Sequence, residues 1–153
     1  LTWNCVDISE DAICAGTAYV RITKELKRCQ KDSLAALERR GRSTVLLTFP
    51  EWKQTGSSTS LVLKAPKTES SVRKVFLPKT VALALAEEKG RQQETKEMLA
   101  GGYQDFDLVI AHEDGRPYEE RQIAFLLRKL TDTTGLPPVV FHSLRHCSAS
   151  LKL

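Results

Sequence analysis

Two imidazoles and a guanidinium fall within five residues in the run Phe141-His142-Ser143-Leu144-Arg145-His146. Ser143 is well suited to cap a helix, which puts His142 just before the first turn and Arg145 inside it. Free backbone N–H groups and the helix dipole favour an anion there, so the pattern suits a phosphate. Arg145 can offer a planar fork to two phosphate oxygens, and His142 can donate a hydrogen bond or exchange a proton near neutral pH. A zinc reading competes, because His142 and His146 are four residues apart. The metalloprotease pattern H-E-x-x-H, however, needs glutamate where Ser143 stands, and Arg145 is a poor neighbour for a second cation. No metal is expected. His146 by itself reads as a structural, core-facing residue, and the bland alternative for the pair leaves His142 on the surface.

A second constellation is the stretch Lys64-Ala65-Pro66-Lys67-Thr68-Glu69-Ser70-Ser71-Val72-Arg73-Lys74, with four cations against one acid in eleven residues. Lys67, beside Thr68, can protonate a leaving alkoxide or contact a phosphate. Lys64, Arg73 and Lys74 are candidates for pairing with backbone phosphates. The alternative is a basic turn that is simply solvated.

The elements that must position these residues follow from periodicity. Tyr19 to Leu26 reads as a half-buried strand, with Val20 and Ile22 on one face and Tyr19 and Arg21 on the other. Asp32 suits the cap of a short helix that Gly41 stops, ahead of a β-rich run from Thr44 to Phe49. Pro50 to Ser60 is a Gly/Ser/Thr-rich connector. Leu61-Val62-Leu63 and Val72 to Leu77 flank the basic turn and predict a β-hairpin with Lys67 near its tip. After Pro78, Thr80 suits the cap of a long helix whose buried side is Val81, Ala84 and Leu85, with Gly90 weakening the middle. Leu108 to Ala111 reads as a brief strand and Asp114-Gly115-Arg116-Pro117 as a turn. Ile123, Leu126, Leu127 and Leu130 then form a core-facing stripe at helical spacing, ended by Gly135-Leu136-Pro137-Pro138. A last helix begins at Ser143.

Taken together, Pro66-Lys67-Thr68-x-Ser70-Ser71-x-Arg73 and, about seventy residues on, His142-x-Leu144-Arg145-His146 resemble the lysine hairpin and the H-x-L-R-H motif of the tyrosine recombinases, the phage integrase family. The opening Leu1-x-Trp3-x-x-Val6-Asp7-Ile8, the segment Tyr103 to Val109 and Gly115-Arg116-Pro117 extend the likeness over nearly the whole chain. The resemblance implies an α+β fold, a mostly helical recombinase catalytic core with a small antiparallel sheet whose β-hairpin carries Lys67. It implies site-specific DNA recombination and integration through a 3′-phosphotyrosine, without a metal or nucleotide cofactor. Lys67 becomes the general acid toward the 5′-hydroxyl, Arg145 a phosphate clamp and His142 its acid/base neighbour. Residues 1–153 then correspond to part of a catalytic domain truncated at both ends, with an inserted excursion at about 30–60. The first catalytic arginine and the later His/Trp and nucleophilic tyrosine have no counterpart. Tyr19, Tyr103 and Tyr118 all precede the H-x-L-R-H motif, so these residues alone are expected to be inactive.

Bulk properties fit without deciding. The chain has 153 residues, and 23 Lys and Arg against 19 Asp and Glu leave net +4, which permits an anionic partner. The four cysteines form no C-x-x-C pair, which favours reduced thiols over a zinc ribbon or disulfide framework. No apolar run approaches the ~18 residues a membrane span needs. The expected setting is a bacterial or phage-encoded cytoplasmic protein, acting on double-stranded DNA, self-associating there and not bound to membrane. Two other readings remain: a non-catalytic DNA-binding regulator derived from an integrase, and an interaction domain whose basic turn meets an acidic protein.

Overall fold

The computed structural model describes residues 1–41, 44–52, 56–140 and 143–144. These fall in two compact units, 1–116 and 117–153. The first unit carries two antiparallel sheets. One is built from β1 (Val6–Asp7), β2 (Tyr19–Ile22) and β6 (Arg73–Phe76), in the order β1-β2-β6. The other contains β3 (Glu25–Gln30), β4 (Val45–Thr48) and β5 (Thr59–Lys64), in the order β3-β5-β4. Helices α1 (Glu10–Cys14), α2 (Lys31–Arg39) and α3 (Lys79–Leu99) belong to the same unit, and α4 (Glu120–Thr134) to the second.

This architecture corrects the expected fold class. Among the described residues helix accounts for 44% and strand for 22%, in two small sheets with four helices, so the fold is α+β but not a mostly helical core with one small sheet. The excursion beyond Gln30 is the reason. Its expected short helix and β-rich run are α2 and β4, and with the start of β5 they complete a second sheet instead of a surface excursion.

The hairpin around Lys67 is corrected as well. β5 pairs with β3 on one side, Glu25 opposite Lys64 through Gln30 opposite Thr59, and with β4 on the other. Both sets of its backbone groups are therefore used, and no edge is left for the chain returning after Ser71. That return strand, β6, instead pairs with β2, Tyr19 opposite Phe76 through Ile22 opposite Arg73. The expected strand from Tyr19 to Leu26 consequently breaks at Thr23-Lys24, because its two halves serve different sheets. Across from these two residues, 65–72 loop out, with a single 3-10 turn at Glu69–Ser71. Lys67 rides on this crossover rather than on a hairpin tip.

Two apolar clusters hold the unit together. Ala12 and Ile13 of α1, Ala18 and Ala82 of α3 pack with Ile8, Leu77 and Ala86. Phe49, Leu61, Leu63 and Leu108 pack with Leu26, Leu47, Trp52, Phe106 and Ala111. Each buried Leu, Ile or Phe contributes roughly 1.5–3 kcal/mol. Leu61, Val62 and Leu63 are all buried, which explains why this central strand reads as a continuous apolar run rather than an alternation.

Other expectations shift locally. α2 starts directly from β3, with Gln30 at the cap position and Asp32 in the first turn, so Asp32 is not the cap. α3 has Pro78 at its cap position, and Thr80 lies inside the first turn. Its buried residues are Ala82 and Gln92, whereas Val81 is exposed. Small Ala82 allows close approach to α1, which the bulkier Val81 would not. Leu108 forms only an isolated bridge with Thr2, not a strand. In the second unit, Glu119 and Gln122 form the capping box of α4, and Gly135 ends the helix in the left-handed conformation. Leu126 and Leu130, expected to face a core, are exposed. No helix among the described residues is long and apolar enough to cross a membrane.

Candidate functional site

The crossover loop and the strand break opposite it enclose a cleft of about 320 Å³. Ile22, Lys24, Glu25 and Lys27 line one wall, and Pro66, Lys67, Ser71 and Arg73 the other. Four of these eight side chains are cationic and one is acidic. The local shape follows from the pairing: the residue pairs Ile22–Arg73 and Glu25–Lys64 clamp the two ends of an otherwise unpaired loop.

The loop has an internal hydroxyl cluster. The Thr68 hydroxyl lies 3.0 Å from that of Ser70 and 2.9 Å from that of Ser71, and the Ser71 amide donates to the Thr68 carbonyl at 3.1 Å. These bonds hold Ser71 against the cleft while Lys67 stays exposed beside it. The Arg73 guanidinium reaches the Ser71 carbonyl at 3.4 Å and is otherwise turned to solvent.

Not every cation in the neighbourhood is available. The Lys64 ammonium lies 2.8 Å from the Glu25 carboxylate, with only 14% of its side chain exposed. Its charge is spent on Glu25. The hydrogen bond from Lys64 is the chief reason the Glu25 carboxyl sits below its ordinary value, with Lys27 and Lys67 adding to the attraction. Glu25, the acid that lines the cleft among the described residues, is thus already paired with a residue outside it. Lys24 donates to the Thr2 hydroxyl at 3.0 Å and to Asn4 Oδ1 at 3.3 Å, so its stem lines the cleft while its charge is held elsewhere. Strand alternation sends Lys74 to the opposite face of β6 from Arg73. There its ammonium stacks 3.5 Å from the centre of the Tyr19 ring.

The structure therefore brings together Lys67 and Arg73 of the expected set, and keeps Lys64 and Lys74 out of the cleft. His142, Arg145 and His146 lie outside the described residues. Lys24, Glu25 and Lys27 were not singled out by motif. The signal that could have found them is the density of Arg21, Lys24, Lys27 and Arg28 on one β-prone stretch. Among the described residues no cluster of His, Cys, Asp and Glu has the makings of a metal site.

Elsewhere in the first unit, polar contacts fix the chain start and the 103–116 segment. Trp3 Nε1 donates to Gln92 Oε1 at 2.8 Å, and Gln92 Nε2 donates to the Val109 carbonyl at 2.9 Å. Trp52 Nε1 donates to Gln104 Oε1 at 2.8 Å, within an edge-to-face cluster of Phe49, Trp52 and Phe106. The Gly115-Arg116 turn closes against the same segment, with the Gln104 amide donating to the Asp114 carbonyl at 2.9 Å.

Compared with known proteins, the chain matches no protein-family model, no curated protein and no solved structure.

Proposed function

We propose that this chain binds the sugar-phosphate backbone of duplex DNA through the cleft between β2–β3 and the 65–72 loop, as the phosphate-facing part of a DNA breaking-and-rejoining enzyme of the tyrosine recombinase type. The observation that carries the reading is the cleft itself: exposed Lys67 and Arg73 line it together, and the carboxylate that lines it among the described residues, Glu25, is paired with Lys64. Preorganised cations of this kind attract phosphodiesters, and they stabilise a transition state that gains negative charge at phosphorus. The motif resemblance gives Lys67 the further role of proton donor to the departing 5′-oxygen.

Binding to a short duplex, titrated with salt, tests this. Each phosphate contact contributes about 0.9 to the slope of log affinity against log salt. Lys67→Ala with Arg73→Ala is expected to lower the slope by about 2, in a variant whose circular dichroism is unchanged. No duplex binding at low salt, or an unchanged slope, overturns the reading.

A second reading, a DNA-binding module that cuts nothing, is favoured by the tyrosines, since Tyr19, Tyr103 and Tyr118 all precede the H-x-L-R-H motif. A nicked duplex separates the two when it is offered to a protein that carries the nucleophilic tyrosine as well as these residues, since a covalent protein–DNA adduct belongs only to the enzyme.

A further inference from the structure

The motif comparison assigns one wall of the cleft and leaves the other without a role. That other wall comes from β3, the strand through which the inserted residues join the fold. Glu25 and Lys27 are two residues apart on it, so they project to the same face, opposite Lys64 and Val62 of β5. Glu25 is occupied by Lys64, as described above. Lys27 is different. It is exposed, it lines the cleft, and no hydrogen bond or ion pair among the described residues uses its ammonium. Lys27 and Lys67 line the same cleft, one from β3 and one from the 65–72 loop, so an anion seated there meets positive charge from both walls.

Two cationic walls on separate sheets suit a polyanion with successive phosphates better than one isolated phosphate. Resting on the duplex-binding reading above, we infer that Lys27 holds a second backbone phosphate beside the one at Lys67 and Arg73. The β3-β5-β4 sheet is then part of the DNA interface. Its ordered strand fixes the spacing between the two phosphate contacts, which a loop insertion would leave undefined.

The same salt titration tests the inference through different variants. Lys27→Ala is expected to lower the slope by about 0.9, and Lys27→Gln, which keeps the aliphatic stem, to do the same. Lys89→Ala, an equal loss of charge on α3, is expected to leave the slope unchanged. If Lys67→Ala lowers the slope while neither Lys27 variant does, the second contact is wrong and the duplex reading stands. Equal effects from Lys27→Ala and Lys89→Ala also overturn the inference, because the response then reflects net charge. Absence of salt-dependent binding by the unaltered chain overturns both.

Discussion

Gln92 is the polar side chain on which the chain start and the 103–116 segment converge. It is 5% exposed, accepts from the Trp3 indole and donates to the Val109 carbonyl. A buried donor or acceptor that loses its partner costs about 1–3 kcal/mol, well above the net gain from making the bond. Gln92→Ala is therefore expected to destabilise the unit by about 2–3 kcal/mol in urea unfolding, since it orphans two groups at once. A loss under about 0.5 kcal/mol would show that water replaces the amide without penalty. Nothing in the sequence marks Gln92, which sits in the polar run Arg91-Gln92-Gln93-Glu94. Its role depends on which turn of α3 meets Trp3, and that is set by tertiary packing. Lys67 and Arg73, by contrast, were singled out as a basic cluster taken together with the H-x-L-R-H motif, and a charged loop between two β-prone runs survives whatever those runs pair with.

At the level of elements, two glycines make opposite demands. Gly115 has φ +85°, and a Cβ there would lie 2.2 Å from the Gln104 carbonyl oxygen. Gly115→Ala is expected to cost on the order of 3 kcal/mol, combining left-handed strain with a backbone clash. Gly90 lies in α3 with nothing within 4 Å of a built Cβ. Gly90→Ala is expected to stabilise by about 0.5–1 kcal/mol, the ordinary helix gain. Thermal unfolding of both variants checks the pair, and equal effects would contradict the account. α3 and α4 were read correctly as helices, although the residues that periodicity marked as core-facing are not the ones buried. Pairing partners were not read correctly. The two runs flanking Lys67 are both β-prone, but which strand each one joins depends on the sheet formed by residues beyond Gln30. A local pattern cannot report that long-range competition for backbone hydrogen bonds, and so the apparent hairpin became a crossover and the expected single sheet became two.

For the whole molecule, the acid side of the stability curve is set by carboxylates held below their ordinary values. Lys64 does this chiefly for Glu25, Arg91 for Glu88 and Lys96 for Asp105. A depressed carboxyl stabilises the folded state above its unfolded pKa, and that contribution is lost as pH falls through the folded value. Stability is thus expected to hold near neutrality and to decline below about pH 4.5, the ordinary Glu value. Lys64→Met should make the decline shallower by removing the main cause at Glu25. Urea midpoints at pH 7 and pH 3 measure it, and a midpoint that rises on acidification would contradict the assignment. The balance of charge at neutral pH bears on function too. Net +4 is modest, and what matters is that Lys27, Lys67 and Arg73 are gathered at one cleft while the lining Glu25 is paired with Lys64. The most direct measurement of that claim is duplex affinity across a salt series for the unaltered chain and for Lys67→Ala/Arg73→Ala. A steep slope that falls by about 2 in the double variant is the expected result, and a slope that is flat, or that the variant leaves unmoved, would contradict it.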